Sequence, residues 1–422
     1  MNRSSRLLAL APTLLACLGS APAHATDSAP KLATPLVIGH RGAPGHMPEH
    51  TLESYALAIE LGADCIEPDL VATRDGHLIA RHEPNMIATT DVAQRAEFAS
   101  RRRTAIVDGA AEEGFFASDF TLAEIKTLRA VQTIPSERFT GLDGSFQIPT
   151  LTEVIRLAKT KSLQKGRTIC IYPETKHPTY HQSLGLPLED RLVRALASEG
   201  WNRASAPVFI QSFEQANLKY LNTITDVRLV QLVDGDSIAA NGDVTFAAPF
   251  DRPYDWTVAG RQDFFGYLTT PAGLDEVATY ADGIGPWKTY LLRAEQIDAD
   301  QDGQPDDLNA DGKLDDRDRV VTGATPVIAD AHARGLLVHT WTFRSEQRRL
   351  ASTFEGIPSN ELRAYFAAGV DGLFADFPGE AFAARTQFLL DADPGLASCL
   401  TNPASSFAKR CRNLTPNVLN QR

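Results

Sequence analysis

The sequence predicts a (β/α)8 TIM barrel with loops inserted over the C-terminal mouth, on three observations. Eight strand-like apolar runs alternate with amphipathic helical patterns, the signature of a parallel sheet wrapped by helices. Histidines and carboxylates, His40 and the pair Glu67 and Asp69 among them, cluster where those runs end, which is where such barrels build active sites. No Gly-x-Gly-x-x-Gly follows the first run, so the competing doubly wound sheet lacks its nucleotide fingerprint.

Taken in order, residues 1–25 read as a signal peptide: a basic start (Arg3, Arg6), an apolar stretch and the small-x-small site Ala23-His24-Ala25. An exported protein, periplasmic or secreted, is expected. Leu14-Leu15-Ala16-Cys17 offers lipoprotein anchoring through Cys17 as a weaker alternative. The apolar stretch is too short for a retained spanning helix, so stable membrane insertion is not expected.

Residues 26–395 form the predicted barrel and 396–422 a C-terminal tail. The expected strands are 36–39, 65–71, 168–173, 208–213, 228–233, 283–285, 336–341 and 373–377. Helical patterns at 51–61, 189–199, 214–221, 325–333 and 361–368 fall between them. Three longer stretches exceed a minimal barrel. Residues 85–148 carry Arg101-Arg102-Arg103 and Glu112-Glu113, read as solvated surface on an excursion over one mouth. Residues 234–265, rich in Asp, Pro and aromatics, suggest a loop shaping a pocket. Residues 298–318 hold two phrases like the start of a calcium loop: Asp298, Asp300 and Asp302 before Gly303, then Asp307, Asn309 and Asp311 before Gly312, with Asp315 beyond. No glutamate closes either loop, so structural Ca2+ is an expectation that lacks one usual ligand.

The chain has 422 residues, 43% hydrophobic and 22% charged, an ordinary globular balance. A net charge of −12 argues against nucleic acid or an anionic membrane as the main partner. A phosphate-bearing substrate would then need local positive charge, from a metal or from Arg41 and Lys176. Once Cys17 leaves with the signal, four cysteines remain. Cys399 and Cys411 are expected to pair, while Cys65 and Cys170, inside strand-like runs, read as buried free thiols.

Residues two apart in a strand share a face, so Glu67 and Asp69 point into the barrel together, as do Cys170, Tyr172, Glu174 and Lys176. Three carboxylates in one place raise each other's pKa unless a cation sits among them. All-oxygen ligands favour a divalent metal such as Ca2+, with Mg2+ possible, over zinc. His40 and His82 flank this cluster in sequence and titrate near neutrality, which suits an acid and a base. His46, His50, His177, His181 and His332 are weaker candidates.

Together His40-Arg41-Gly42, Pro48-Glu49-x-Thr51, Ile66-Glu67-x-Asp69, Thr73-x-Asp75-Gly76, His82, Glu174-x-Lys176, Gln211-Ser212-Phe213, Trp341-Thr342 and 372–378 resemble the glycerophosphodiester phosphodiesterase family over residues 36–390. The resemblance implies hydrolysis of glycerophosphodiesters to glycerol 3-phosphate and an alcohol. It implies His40 and His82 as the acid–base pair, Glu67, Asp69 and Glu174 as metal ligands, Arg41 and Lys176 on the phosphate, and Trp341 along the substrate pocket. The chain departs from the family's Pro-Glu-Asn-Thr, with His50 for Asn, and from His-Asp, with Glu83 after His82. Neither departure is expected to touch a proposed ligand. Phospholipase D-like cleavage of lysophospholipid or sphingomyelin and a non-catalytic exported binding protein are the rival readings.

Overall fold

The computed structural model describes residues 34–401. The expected signal segment with Cys17, and Cys411 in the tail, lie outside them. Eight parallel staves make the barrel: β1 (Leu36–Gly39), β2 (Cys65–Ile66 and Asp69–Ala72), β3 (Cys170–Ile171 and Glu174–Thr175), β4 (Phe209–Ser212), β5 (Arg228–Val233), β6 (Gly283–Pro286), β7 (Leu337–Phe343) and β8 (Gly372–Ala375). The ring closes because β1 pairs with β2 on one side and, with Leu36 opposite Gly372, with β8 on the other. Helices α1 (Leu52–Glu60), α2 (Leu151–Lys165), α3 (Glu189–Ser198), α4 (Gln215–Ile224), α5 (Pro271–Val277), α6 (Val327–His332), α7 (Pro358–Ala368) and α8 (Pro378–Ala392) follow the staves in turn. Thr51 caps α1 by accepting from the Ser54 amide, and a Thr150–Glu153 capping box starts α2.

Two staves differ from expectation. β2 and β3 are each interrupted, at Glu67-Pro68 and at Tyr172-Pro173, because a proline has no N–H to give the ladder. An antiparallel strand, Leu78–Ala80, extends β2. The facing pattern holds through both breaks. Cys65, Cys170, Tyr172, Phe209 and Phe374 pack inside the barrel, while Ile66, Leu70, Ile169 and Ile171 pack under the helices.

Cys65 and Cys170 are not free thiols: they form a disulfide between β2 and β3. They lie directly opposite in the parallel register, with Cα atoms 4.3 Å apart, a distance that a disulfide spans. Alternation placed both on the inner face; the register that makes them neighbours is a tertiary fact.

The insertions reach the mouth. Residues 85–148 build their own small core around Met86, Phe98, Phe115 and Phe120 and a hairpin, Arg103–Val107 with Ala110–Gly114, whose turn carries Asp108. Its basic run pairs on the surface, Arg101 with Glu124 and Arg102 with Glu113 of the acidic run. No helix among the described residues is long and apolar enough to cross a membrane.

Candidate active site

The turn after β1 is set by backbone geometry. Arg41 adopts φ +55°, and Gly42 follows at φ +101°, where an added Cβ would stand 2.5 Å from the Ser54 hydroxyl. The turn brings the Arg41 amide within 3.0 Å of Glu67 Oε2 and places His40 beside the carboxylates of β2. The eight residues that the resemblance assigns to catalysis, metal and substrate, His40, Arg41, Glu67, Asp69, His82, Glu174, Lys176 and Trp341, all line one chamber of about 90 Å3 at the C-terminal mouth.

Glu67, Asp69 and Glu174 are buried, and one oxygen from each lies within 4.8 Å of the others. Burial, then Asp69 and Glu174, push the Glu67 carboxyl well above its usual range. Burial pushes Glu174 up to about 8, despite the ion pair with Lys176 Nζ at 2.9 Å. Asp69 is held below the usual carboxylate range: burial opposes its charge, but His50, whose Nε2 lies 3.0 Å away, together with His82 and Lys176 outweighs that. The set fits a hard divalent cation, since all donors are oxygens, the negative charge exceeds its neighbours' compensation, and the buried Asp69 Oδ1 receives no hydrogen bond.

Each catalytic candidate is held by a carboxylate at Nδ1. Asp376 Oδ1 lies 2.5 Å from His40 Nδ1, and Glu83 Oε1 lies 2.7 Å from His82 Nδ1. An ionised carboxylate only accepts, so each Nδ1 carries the proton and each Nε2 is a free base. His40 Nε2 faces Glu67 at 3.9 Å and His82 Nε2 faces Lys176 Nζ at 3.4 Å. Burial, then neighbouring Arg41, lower both imidazoles to about 4, which keeps them neutral at pH 7. Asp376 is kept ionised against its burial by His40, Arg344 and Arg138, whose Nη2 is 2.5 Å away. Arg41 spans the chamber, 3.2 Å from Glu49 and 3.5 Å from Asp69.

Both departures from the family phrase touch this machinery. His50, at φ +53°, bridges Tyr55 and the proposed ligand Asp69, contrary to expectation, while Glu83 orients His82. Glu83 also meets His177 Nε2 at 2.8 Å, and His177 Nδ1 meets Asp108 of the hairpin at 2.6 Å. Although burial opposes it, these two carboxylates raise His177 to about 10. Sequence reasoning passed over Asp376, although its place just after β8 was a signal. It also passed over Gln211, which donates to Glu67 Oε1 at 2.6 Å. Nothing in spacing pointed to Asp108.

Trp341 Nε1 donates to the Gly285 carbonyl at 2.7 Å, and the ring divides two further cavities. In the acidic insertion, Asp298 and Asp300 approach Asp306, which the loop motif did not include, rather than the full expected set. Asp302, Asp307, Asn309 and Asp311 accept from amides of their own turns, and Arg317 holds Asp311 and Asp315.

The glycerophosphoryl diester phosphodiesterase family model matches residues 40–380. A glycerophosphodiester phosphodiesterase of Arabidopsis thaliana is 35% identical over 375 residues, 86% of this chain and 89% of that protein. One from Haemophilus influenzae is 27% identical, over 88% and 97%. A solved structure of a protein given the same family name, from Silicibacter pomeroyi, superposes with a TM-score of 0.51 at 19% identity, covering 85% of this chain and 94% of that one, and shares the fold. With a match running from His40 past Asp376, the chain belongs to the glycerophosphoryl diester phosphodiesterase family and is a phosphodiester hydrolase.

Proposed function

We propose that the protein is a metal-dependent hydrolase of water-soluble glycerophosphodiesters such as glycerophosphocholine or glycerophosphoethanolamine, releasing glycerol 3-phosphate and an alcohol. The observation that carries this reading is three buried carboxylates at ligand spacing, faced by two histidines whose carboxylate partners at Nδ1 leave each Nε2 unprotonated.

A divalent cation held by Glu67, Asp69 and Glu174, Ca2+ by preference and Mg2+ in its absence, would screen the phosphodiester's charge. Arg41 and Lys176 supply fixed positive charge to the phosphate oxygens without reorganising. One histidine Nε2 takes the proton of the attacking hydroxyl, of water or of the substrate's own glycerol; the other, neutral in the free protein, takes up a proton as the anionic phosphodiester binds and then gives it to the departing alcohol. Asp376 and Glu83 hold the rings and stabilise whichever imidazolium forms. Structural calcium at the turns around Asp298 and Asp300 and export through cleavage after Ala25 belong to the same reading.

The test is glycerol 3-phosphate release from glycerophosphocholine by purified protein, with chelator and with Ca2+ or Mg2+ restored separately. Release that disappears with chelator and returns with cation is expected. Release unaffected by exhaustive chelation would remove the metal, and no release from any glycerophosphodiester would remove the reading.

A further inference from the structure

The chamber opens into two unlike cavities that share only Trp341. One, of about 170 Å3, adjoins the chamber through Thr342 and Arg344 and mixes the polar side chains Thr289, Arg319 and Arg349 with the aromatics Trp287, Phe354 and Tyr365. The other, about 410 Å3, adjoins it through His82, Lys176 and Phe213. Its walls are aromatic, with Phe213, Phe265 and Trp341 joined by Phe250 and Tyr254 of the 234–265 insertion. Trp341 meets Phe213 edge to face at 5.7 Å, and Phe213 meets Phe265 at 6.0 Å.

Charge in the larger cavity is unbalanced. Lys176 is taken by Glu174, and Arg252 by Asp251 at 2.8 Å. His177 serves two carboxylates, Glu83 and Asp108, with one positive charge. Asp234 accepts from the Gly235 amide at 2.8 Å, and among the described residues no cation makes an ion pair with it. Burial raises its carboxyl to about 6, so it is mostly ionised at pH 7. An ionised carboxylate beside several aromatic faces recognises an organic cation, since ring quadrupoles and the full charge both attract it.

We propose that the larger cavity holds the alcohol part of the substrate and selects an alcohol bearing a quaternary or primary ammonium, with Asp234 and the aromatic walls as the specificity determinants. The proposal rests on the glycerophosphodiester reading. The smaller cavity, with Thr289, Arg319 and Arg349 among its walls, then takes glycerol, whose hydroxyls need hydrogen-bonding partners.

Two measurements test this. The ratio of kcat/KM for glycerophosphocholine over the neutral-alcohol diester glycerophosphoglycerol should fall about tenfold in Asp234→Asn, mainly through KM for the choline diester, from loss of a carboxylate–cation contact. Phe250→Ala, which truncates a half-exposed ring, should lower the same ratio and serves if Asp234→Asn misfolds. For the unaltered enzyme, choline should inhibit competitively at about a tenth of the concentration needed for its uncharged isostere 3,3-dimethyl-1-butanol. Cleavage of both diesters with a ratio unmoved by either variant, or equal inhibition by choline and the isostere, would overturn the subsite and leave the hydrolase reading standing. No cleavage of either diester by folded, metal-loaded protein would overturn both.

Discussion

Among the described residues, two carboxylate clusters share a spacing and differ in setting. Glu67, Asp69 and Glu174 lie within 4.8 Å of one another at 3%, 1% and 5% exposure; Asp298, Asp300 and Asp306 meet the same distance in an exposed loop. Water and salt screen the second set, so it can stand with or without a cation. The first has no such screen. Its charges are balanced by Arg41 and Lys176 on one side and by protonation on the other, which is why Glu67 and Glu174 are pushed upward. Ligand spacing alone therefore says little; burial sets how much buried charge a cation would relieve.

The sharpest way to break that contrast is to remove an inner ligand. Asp69→Asn or Glu67→Gln should cut glycerophosphodiester turnover by about three orders of magnitude, because the charge screening of the phosphate is lost. His40→Ala and His82→Ala should each cost about two to four orders, measured on folded, metal-loaded protein. Near-normal turnover in either would remove that residue from the chemistry.

Acidity sharpens it next. Without a cation the folded-state pKa of Glu174 is about 8, above the ordinary carboxylate value. Its contribution to the metal-free fold is therefore fully present below about pH 4.5 and is lost as pH rises toward 8. A cation reverses the trend, since it binds the carboxylate form. Calorimetric titration should show affinity rising at least about tenfold per pH unit between pH 6 and 8, with proton release. A pH-independent affinity would mean that Glu174 is not a ligand.

Much of the inner cluster was legible in sequence because it depends on period-two alternation at strand ends: Glu67 with Asp69, and Glu174 with Lys176, share a face whatever the register. The rest depends on register and on long-range closure. The Cys65–Cys170 disulfide needs β2 opposite β3, Asp376 reaches His40 only once β8 closes on β1, and the His50–Asp69 contact needs a left-handed turn that no alternation predicts. The interruptions of β2 and β3 could have been suspected from Pro68 and Pro173.

Residues supporting the inner cluster should show intermediate effects. His50→Ala should weaken metal affinity about 10- to 100-fold, since His50 orients Asp69 from behind, and Asp376→Asn should lower kcat by removing the carboxylate that fixes the His40 tautomer. Restoring the family's asparagine, His50→Asn, should recover part of the affinity if hydrogen bonding to Asp69 is what matters. No recovery would assign the effect to packing against Tyr55.

The smallest effect belongs to the outer cluster. Asp298 and Asp300 accept from the amides of Asp302 and Gly303, and Arg317 occupies Asp311 and Asp315. A calcium ion there would replace water around exposed oxygens rather than relieve buried charge. Asp298→Asn with Asp300→Asn should leave turnover within about twofold and shift Tm by about 2 °C or less without calcium. Added calcium should raise the Tm of the unaltered protein further than that of the double variant, the difference being binding at the loop. Equal increments would show that the added stability comes from the inner site alone and that the outer turns hold their shape through their own amides.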